Sequence, residues 1–184
     1  MRGILIRHGK TRGNQEGRYI GCRSDEPLCP EGIKELKRGV YPAASRVYAS
    51  PMRRCLETAE LLYPGIPVEV VEDFRECDFG GFEGKNYAEL NGREDYQAWI
   101  DSGGELPFPG GESRAEFAQR CLKAFEEIQK KAPQEDCALI VHGGTVMAVM
   151  EKYAIPHKPF FDYQVPNGCG FILEADGTNT QIRR

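Results

Sequence analysis

The sequence lacks the long apolar segments that membrane insertion or secretion requires. No run approaches the ~18 apolar residues of a membrane span, and the apolar run at residues 4–6 is too short for a signal-peptide core. An excess of basic residues is missing as well, because 24 Lys and Arg stand against 28 Asp and Glu. The net charge of −4 argues against non-specific nucleic-acid binding and against a polybasic membrane surface. We therefore expect a cytoplasmic protein that binds neither nucleic acid nor membrane.

Paired cysteines are also missing, although the chain has seven cysteines. Their scattered positions include no C-x-x-C, so we predict neither a zinc site nor a disulfide framework, and expect buried, reduced thiols. No C-x₅-R sequence occurs, which excludes a cysteine phosphatase site. Residues 80–86, GGFEGKN, do not form a P-loop, since Phe79 stands where the first glycine belongs and Asn86 replaces Ser or Thr.

Strands and helices alternate along a chain without a linker or internal repeat, and we predict one domain over residues 1–184. Short aliphatic segments predict strands at residues 3–6, 46–49, 68–71, 138–141 and 170–173. Helices are predicted at 30–38, from an N-cap at Ser50 to Leu62, from a capping box at Ser113, and at 145–153. The helix after Ser113 carries an apolar stripe expected to face the core, formed by Phe117, Cys121, Ala124, Phe125 and Ile128. This alternation predicts an α/β fold, a three-layer α/β/α domain with a mainly parallel central sheet.

Two of the three histidines directly follow predicted strands. His8 comes after the first strand and His142 after the fourth, and a glycine follows each of them. Because the carboxyl ends of parallel strands meet at one edge of the sheet, where ligands bind, we expect the two imidazoles to lie together. Arg7 would repel a protonated His8, so an anion is expected between them. His157, in contrast, is predicted to be a loop residue.

Two further segments carry charged residues in unusual surroundings. Arg53 and Arg54 lie in the first turn of the helix predicted after Ser50, where the helix dipole disfavours cations. A bound anion would remove that penalty for one of the pair, whereas Arg53 is expected to be a solvated surface residue. Glu76 lies in a glycine-rich turn next to Phe74 and Phe79. Such surroundings raise the pKa of a carboxyl group, which suits proton donation.

Together these segments resemble the histidine phosphatase, or phosphoglycerate-mutase-like, superfamily. The R-H-G-x-T-x-x-N signature of that family is matched by Arg7, His8, Gly9, Thr11 and Asn14. Three further segments match in the same order, namely SPMRRCLETA with Arg54, ECDFGGFEG with Glu76, and HGG with His142. With PGGES at residues 109–113, the resemblance extends from about residue 2 to residue 145.

The resemblance implies a phosphoglycerate-mutase-like fold and a catalytic set formed by Arg7, His8, Arg54, Glu76 and His142. A neutral His8 would attack phosphorus and carry a phosphohistidine, while Arg7 and Arg54 clamp the phosphoryl oxygens. His142 would donate to those oxygens, and Glu76 would protonate the leaving alkoxide and then activate water. Substrate binding is expected at Thr11, Asn14, Ile20, Gly21 and Gly143. No metal or other cofactor is implied.

The compact stretch after Gly84 resembles the phosphatase branch, so we predict a phosphoric monoester hydrolase that acts on a small phosphorylated metabolite. A cofactor-dependent phosphoglycerate mutase and a non-catalytic phospholigand-binding module are the alternatives. Residues 17–32, GRYIGCRSDEPLCPEG, resemble the alpha-ribazole phosphatases of the cobalamin pathway. This suggests alpha-ribazole 5′-phosphate as a substrate, with Ile20 and Gly21 at the mouth of the site. A homodimer is compatible with the prediction and is not required by it.

Overall fold

A six-stranded sheet forms the centre of the computed structural model, which describes residues 1–183. The strands are β1 (Arg2–Arg7), β2 (Arg46–Ala49), β3 (Val68–Val70), β4 (Asp136–Val141), β5 (Gly170–Leu173) and β6 (Asn179–Ile182). Their order across the sheet is β3-β2-β4-β1-β5-β6. The first four strands in this order run parallel, and the β5–β6 hairpin pairs antiparallel with β1. The prediction of a mainly parallel sheet is confirmed, with an antiparallel edge added to it.

Helices connect the strands and cover both faces of the sheet. They are α1 (Arg12–Gln15), α2 (Pro30–Arg38), α3 (Arg53–Leu62), α4 (Tyr87–Leu90), α5 (Glu94–Asp101), α6 (Arg114–Lys131) and α7 (Gly143–Tyr153). Short 3₁₀ segments lie at Glu72–Phe74, Gly80–Phe82 and Phe160–Tyr163. None of the described helices combines the length and the apolarity that a membrane crossing requires.

Alternating side chains of the central strands divide the core into two layers. Leu5 of β1 and Leu139 of β4 face one layer, where they pack with Phe125 of α6 and with residues of α7. Ile4 faces the opposite layer, which contains Ala59 of α3. Because neighbouring residues of a strand point to opposite faces, one aliphatic strand supplies both layers. The predicted three-layer α/β/α arrangement is confirmed.

Helix α6 begins and packs as the sequence predicts. Ser113 is the N-cap, its hydroxyl accepts a hydrogen bond from the Glu116 amide at 3.2 Å, and the Glu116 carboxylate accepts one from the Ser113 amide at 2.9 Å. This capping box satisfies amides that the helix itself leaves free, and such a cap contributes about 1 kcal/mol to stability. All five residues of the predicted apolar stripe are buried.

The start of α3 and the end of the sheet differ from the prediction. Helix α3 begins at Arg53, and its N-cap is Met52, which offers no side-chain hydrogen bond. The Ser50 hydroxyl, predicted to be the cap, instead lies 2.8 Å from Nε2 of His142. Strand β6 was not predicted, because Ile182 is its only buried residue and the rest of Asn179–Ile182 is polar.

The seven cysteines are distributed through the fold without pairing. All are free thiols, and all but the half-buried Cys22 are buried. Burial raises the pKa of Cys55 and of Cys121, each to about 12, so these two thiols are protonated at neutral pH. The expectation of burial is confirmed for six of the seven, whereas their reduced state stays a prediction.

Candidate active site

The carboxyl ends of β1 and β4 bring the two predicted histidines together. These strands are direct neighbours, with Arg7 opposite Val141 in the register, so the residues that follow them meet at one edge of the sheet. The ring centroids of His8 and His142 lie 5.1 Å apart, at an interplanar angle of 66°. Both side chains are buried. The third histidine, His157, lies outside this site in an exposed loop, as predicted.

The His8 ring has a fixed orientation. Its Nδ1 lies 2.7 Å from the carbonyl oxygen of Gly9, and its own amide donates to the Val141 carbonyl at 2.9 Å. The Gly9 amide in turn donates to the Thr58 hydroxyl at 2.9 Å. Since a carbonyl can only accept, Nδ1 must carry the proton, and Nε2 is left with a free lone pair.

The His142 ring is held from both sides. Its Nε2 lies 2.8 Å from the hydroxyl of Ser50, and its Nδ1 lies 3.5 Å from Oε2 of Glu76. The sequence did not indicate Ser50 as a partner, because the Ser50-Pro51 pair is typical of a helix start and 92 positions separate Ser50 from His142. The contact places the second imidazole beside the only carboxylate that approaches it among the described residues.

Both imidazoles are neutral in this site. Burial lowers the pKa of His8 well below its usual value, and the positive charges of Arg54 and Arg7 lower it further. The pKa of His142 is also lowered well below its usual value, again chiefly by burial and then by Arg54. A neutral His8 with a protonated Nδ1 has the properties of a nitrogen nucleophile.

The half-buried Arg7 and the fully buried Arg54 lie beside the imidazoles, and neither guanidinium has a carboxylate partner in the described chain. Arg7 donates from one terminal nitrogen to the Val165 carbonyl at 2.8 Å. Arg54 is fully buried and donates to the carbonyls of Ile20, Gly21 and Ser24 at 3.0–3.3 Å. The Nε atom of each is buried without a hydrogen-bond partner. Burial lowers the pKa of Arg7, although Glu76 opposes this effect. Two such cations, with donors left free, predict an anion between them.

Glu76 is the carboxyl group of the site and lies beside His142. Its Oε1 accepts a hydrogen bond from the Cys77 amide at 2.9 Å. Burial raises the pKa of this carboxyl, and Arg54, the Cys77 amide and Arg7 oppose the rise without reversing it. A carboxyl group of this kind can hold a proton and donate it to a leaving group.

A set of hydrogen bonds from Arg120, which the sequence did not indicate, fixes the backbone around Glu76. Arg120 of α6 pairs with both carboxylate oxygens of Glu112, at 2.7 and 2.8 Å. The same guanidinium donates to the backbone carbonyls of Asp73, Arg75 and Glu76 at 2.6–3.1 Å. Five hydrogen bonds from one side chain therefore connect α6 to the turn that carries the carboxylate.

Asn14 is part of the site, whereas Thr11 supports it from behind. Asn14 lines the cavity in front of His8, and its Oδ1 accepts hydrogen bonds from the amides of Thr11 and Asn167, each at 3.1 Å. Thr11 is the fully buried N-cap of α1 and does not line the cavity. Asn167 also donates to the His8 carbonyl at 3.1 Å. Asn167 was not predicted, because it lies 159 positions from His8 in the chain.

Of the three other predicted binding residues, two line the cavity and one does not. Gly143 is the first residue of α7, and it lines the cavity next to Arg7. Ile20 also lines the cavity. Gly21 does not, and its carbonyl instead accepts a hydrogen bond from Arg54 at 3.2 Å. The predicted mouth of the site is therefore formed by Ile20, while Gly21 holds a buried guanidinium.

The cavity at this site has a volume of about 370 Å³. Arg7, His8, Asn14 and Glu76 lie on its wall at one end. This end combines a neutral imidazole, the Arg7 guanidinium and a buried carboxyl group, while the Arg54 guanidinium is fully buried and does not line the cavity. Such a set can bind a phosphoryl dianion, attack its phosphorus and protonate the group that departs.

Comparisons with known proteins agree with this geometry. A family model described as the histidine phosphatase superfamily (branch 1) matches residues 4–184. An adenosylcobalamin/alpha-ribazole phosphatase of Escherichia coli (strain K12) is 26% identical, over 100% of this chain and 94% of the relative. A metal-independent phosphoserine phosphatase of Arabidopsis thaliana is 31% identical, over 79% of this chain and 66% of the relative.

Other relatives extend the range of activities. A 2,3-bisphosphoglycerate-dependent phosphoglycerate mutase 2 of Gloeobacter violaceus is 29% identical, over 97% of this chain and 89% of the relative. Among solved structures, the alpha-ribazole phosphatase from Shigella flexneri has a TM-score of 0.83 at 26% identity, covering 100% of this chain and 95% of that one. Since both phosphatases and mutases are similar to the chain, similarity alone does not separate hydrolysis from phosphoryl transfer.

Proposed function

The chain belongs to the histidine phosphatase superfamily (branch 1), and from this membership and the buried site we propose that it is a phosphatase. It hydrolyses the phosphate monoester of a small metabolite through a phosphohistidine on His8. The observation that carries the proposal is the hydrogen bond of 2.7 Å between Nδ1 of His8 and the carbonyl of Gly9. Because this bond fixes the proton on Nδ1, the Nε2 lone pair is available for attack on phosphorus.

The first step transfers the phosphoryl group to the enzyme. Nε2 of His8 forms a bond to phosphorus as the bond to the alcohol oxygen breaks. Arg7 and Arg54 neutralise the oxygens of the phosphoryl group with charge-assisted hydrogen bonds. The proton of Glu76 passes to the leaving oxygen, so that a neutral alcohol departs.

The second step releases phosphate. Glu76, now ionised, accepts a proton from a water molecule, and the oxygen of that water attacks phosphorus. The N–P bond breaks, inorganic phosphate leaves, and Glu76 is protonated again for the next cycle. His142 donates to the phosphoryl oxygens during both steps, and the raised pKa of Glu76 suits its alternating use as acid and base.

We prefer hydrolysis to mutase transfer because the compact stretch after Gly84 resembles the phosphatase branch of the family. Conversion of 3- to 2-phosphoglycerate after phosphorylation by 2,3-bisphosphoglycerate would overturn this preference.

As the substrate we propose alpha-ribazole 5′-phosphate, supported by the names of two similar phosphatases. We further propose one catalytic domain over residues 1–184, a cytoplasmic location, and no nucleic-acid or membrane partner. A homodimer remains one assembly to be tested.

The proposal predicts that His8→Gln removes the activity. Glutamine preserves polarity and approximate size but has no nucleophilic nitrogen, so we expect kcat/KM for p-nitrophenyl phosphate to fall more than about 10³-fold. Rapid quench of the wild-type enzyme with a ³²P-labelled ester should trap an acid-labile N–P adduct, which peptide mapping should assign to His8.

The matched control for this experiment is His157→Gln, which changes the exposed third histidine and should leave both readouts unchanged. Turnover by the His8→Gln enzyme at the wild-type rate would contradict the proposal. An N–P adduct at His142 instead of His8 would also contradict it. A wild-type protein that binds phosphate and hydrolyses no ester would be the non-catalytic module.

A further inference from the structure

Ser50 lies directly behind the second imidazole of the site. The residue follows β2, and it is fully buried without lining the cavity. Its amide donates to the Ile140 carbonyl at 3.1 Å, so it continues the parallel pairing of β2 with β4. His142 follows β4. The 2.8 Å contact between the Ser50 hydroxyl and Nε2 of His142 is therefore set by two paired strands.

The two nitrogens of the His142 ring have different surroundings. Nδ1 lies 3.5 Å from Oε2 of Glu76, which lines the cavity together with His8. Nε2 lies 2.8 Å from Oγ of Ser50, and the Cys55 sulfur is nearer to this nitrogen, at 3.6 Å, than to Nδ1, at 4.0 Å. Nδ1 is thus the nitrogen on the cavity side, where the proposed mechanism places the phosphoryl group, and Nε2 faces the interior of the protein.

The proton of the Ser50 hydroxyl can be placed from its contacts. The Met52 amide, 3.4 Å from Oγ, can only donate, so it leaves the hydroxyl proton free. If Nε2 of His142 carried a proton and donated it to Oγ, the hydroxyl would be left with the Cys55 sulfur, a weak acceptor. If the hydroxyl donates to Nε2, both groups are satisfied. A neutral imidazole that accepts at Nε2 carries its single proton on Nδ1.

Neither neighbour of Nε2 adds a charge to the ring. Ser50 is neutral, and burial raises the pKa of the Cys55 thiol to about 12, so this thiol is protonated at neutral pH. Burial also lowers the pKa of His142 well below its usual value. A carboxylate in the place of Ser50 would favour an imidazolium, whereas a hydroxyl orients the ring and leaves it neutral. The contact with Glu76, at 3.5 Å, is too long for a good hydrogen bond, so the Nδ1 proton remains available for a ligand.

We propose that Ser50 is a positioning residue that fixes His142 in the tautomer with the proton on Nδ1. The inference rests on the proposed hydrolysis at His8, and it states what makes His142 a donor to the phosphoryl oxygens. With its Nε2 lone pair held by the hydroxyl, the ring presents an N–H to the cavity. Without the hydroxyl, the proton can move to Nε2. A lone pair would then face the phosphoryl oxygens and weaken their stabilisation in the transition state.

The tautomer can be measured in the unliganded protein. Protonated and unprotonated ring nitrogens differ in ¹⁵N chemical shift, so long-range ¹⁵N–¹H correlation spectra of protein labelled with ¹⁵N-histidine report both nitrogens of each ring. At neutral pH we expect a protonated Nδ1 and an unprotonated Nε2 for His142, whose signals are those lost in His142→Gln. In Ser50→Ala the proton should shift partly or wholly to Nε2, whereas Ser50→Thr, which keeps a hydroxyl, should restore the wild-type pattern.

Kinetics on the same variants give the functional readout. Ser50→Ala should lower kcat/KM for p-nitrophenyl phosphate by about 10- to 100-fold, because one donor to the reacting oxygens is lost. Ser50→Thr should recover most of this loss. The matched control is Ser45→Ala, the same substitution just before β2, where the exposed hydroxyl contacts Glu135 at 2.9 Å. It should leave the His142 signals and kcat/KM unchanged.

The outcomes separate this inference from the proposed function. A proton on Nε2 of His142 in the wild-type protein would overturn the inference, even if His8 carries a phosphohistidine. An unchanged tautomer and rate in Ser50→Ala, with only a lower melting temperature, would also overturn it by showing a structural role. A tautomer that changes in Cys55→Ala and not in Ser50→Ala would overturn it by assigning the effect to the thiol. The proposed tautomer in a protein that hydrolyses no ester would support the inference and refute the phosphatase proposal.

Discussion

Three buried side chains of the site have pKa values shifted in the direction that removes their charge. Burial is the largest cause for His8, His142 and Glu76 alike. The pKa values of the two imidazoles are lowered and that of the carboxyl group is raised, because each charged form would have to give up its hydration. In the proposed mechanism this places a nucleophile next to a proton donor, while Arg7 and Arg54 supply the positive charge that a phosphoryl dianion needs.

Glu76→Gln tests the role of the acid through the leaving group. An alkoxide is a poor leaving group unless it is protonated, so we expect kcat/KM for ethyl phosphate to fall about 10²- to 10⁴-fold. A nitrophenolate ion leaves without a proton, so phosphorylation of the enzyme by p-nitrophenyl phosphate should be much less affected. Stopped-flow measurement of the nitrophenolate burst, compared with steady-state turnover of the ethyl ester, gives both values.

Glu72→Gln provides the control, because Glu72 is a largely exposed carboxylate four positions from Glu76 that pairs with Arg75. It should leave both substrates at their wild-type rates. Equal losses of the burst and of ethyl ester turnover in Glu76→Gln would count against proton donation by Glu76, and would point to a role in binding.

The pH dependence of kcat/KM should reflect the ionisation of His8 and of Glu76. Activity requires neutral His8, and its lowered pKa places the acid limb below the ordinary histidine range. Activity with alkyl esters also requires protonated Glu76, so it falls as pH rises through a pKa that lies above the ordinary glutamate value. In Glu76→Gln the alkaline limb should disappear. Measuring both enzymes on one ester cancels titration of the substrate, and an unchanged alkaline limb would assign it to another group.

Residues of the site could be predicted where the residues next to them in the chain form a recognisable pattern. His8 and His142 each follow an aliphatic strand and precede a glycine, and the structure brings them together. Ser50, Asn167 and Arg120 could not be found this way, because their partners in the site lie between 44 and 159 positions away. A polar side chain whose partner is distant in sequence has no local signal.

Among the elements of the fold, the long helix α6 connects core packing to the site. One face of it carries the buried apolar stripe, and Arg120 on another side holds the backbone around Glu76. The guanidinium makes its contacts to Glu112 and to three carbonyls through a planar fork that a lysine ammonium cannot reproduce. The position of the Glu76 carboxyl group, and with it the proposed proton transfer, therefore depends on the packing of α6.

Arg120→Lys should loosen Glu76 while leaving the nucleophile in place. We expect kcat/KM for ethyl phosphate to fall about tenfold, with a smaller change in the nitrophenolate burst, since only the first depends on the proton. Arg75→Lys, which changes an arginine of the same segment paired with exposed Glu72, is the matched control. Glu112→Gln serves as a second variant that keeps the fold should Arg120→Lys unfold. Parallel losses with both substrates would indicate a purely structural role.

The elements that the sequence predicted are those with strong local patterns. Helix α6 combines a capping box with an apolar stripe, so its start was predicted correctly. Helix α5 has no buried residue, and β6 has one, so neither carries a pattern that distinguishes it from a loop. The start of α3 was wrong because the Ser50 hydroxyl serves His142 instead of capping a helix.

For the molecule as a whole, the site holds two guanidiniums of like charge, the half-buried Arg7 and the buried Arg54, and a bound anion is expected to relieve their repulsion. A ligand that binds only the folded state raises its stability, by about 2.7 kcal/mol at a hundred times Kd. We therefore expect saturating inorganic phosphate to raise the melting temperature by about 5–10 °C in a protein of this size. Differential scanning fluorimetry against sodium chloride at equal ionic strength measures this effect.

Neighbouring arginines of α3 provide the comparison for this experiment. Arg54→Met should remove most of the phosphate effect, whereas Arg53→Met, at an exposed residue paired with Glu57, should retain it. A melting temperature that phosphate and chloride raise equally in the wild-type protein would contradict an anion site between Arg7 and Arg54.

The hydrogen bonds from Asn167 to His8 and Asn14 have a consequence for biosynthesis. A ribosome delivers β1 and His8 early relative to their partners, and the amide that holds the His8 carbonyl emerges 159 codons later. The backbone partner of Arg7, the Cys169 carbonyl, is translated equally late. A nascent chain therefore carries His8 long before it acquires the contacts that hold this residue in place, and the site is complete only after the segment around Asn167 has been made.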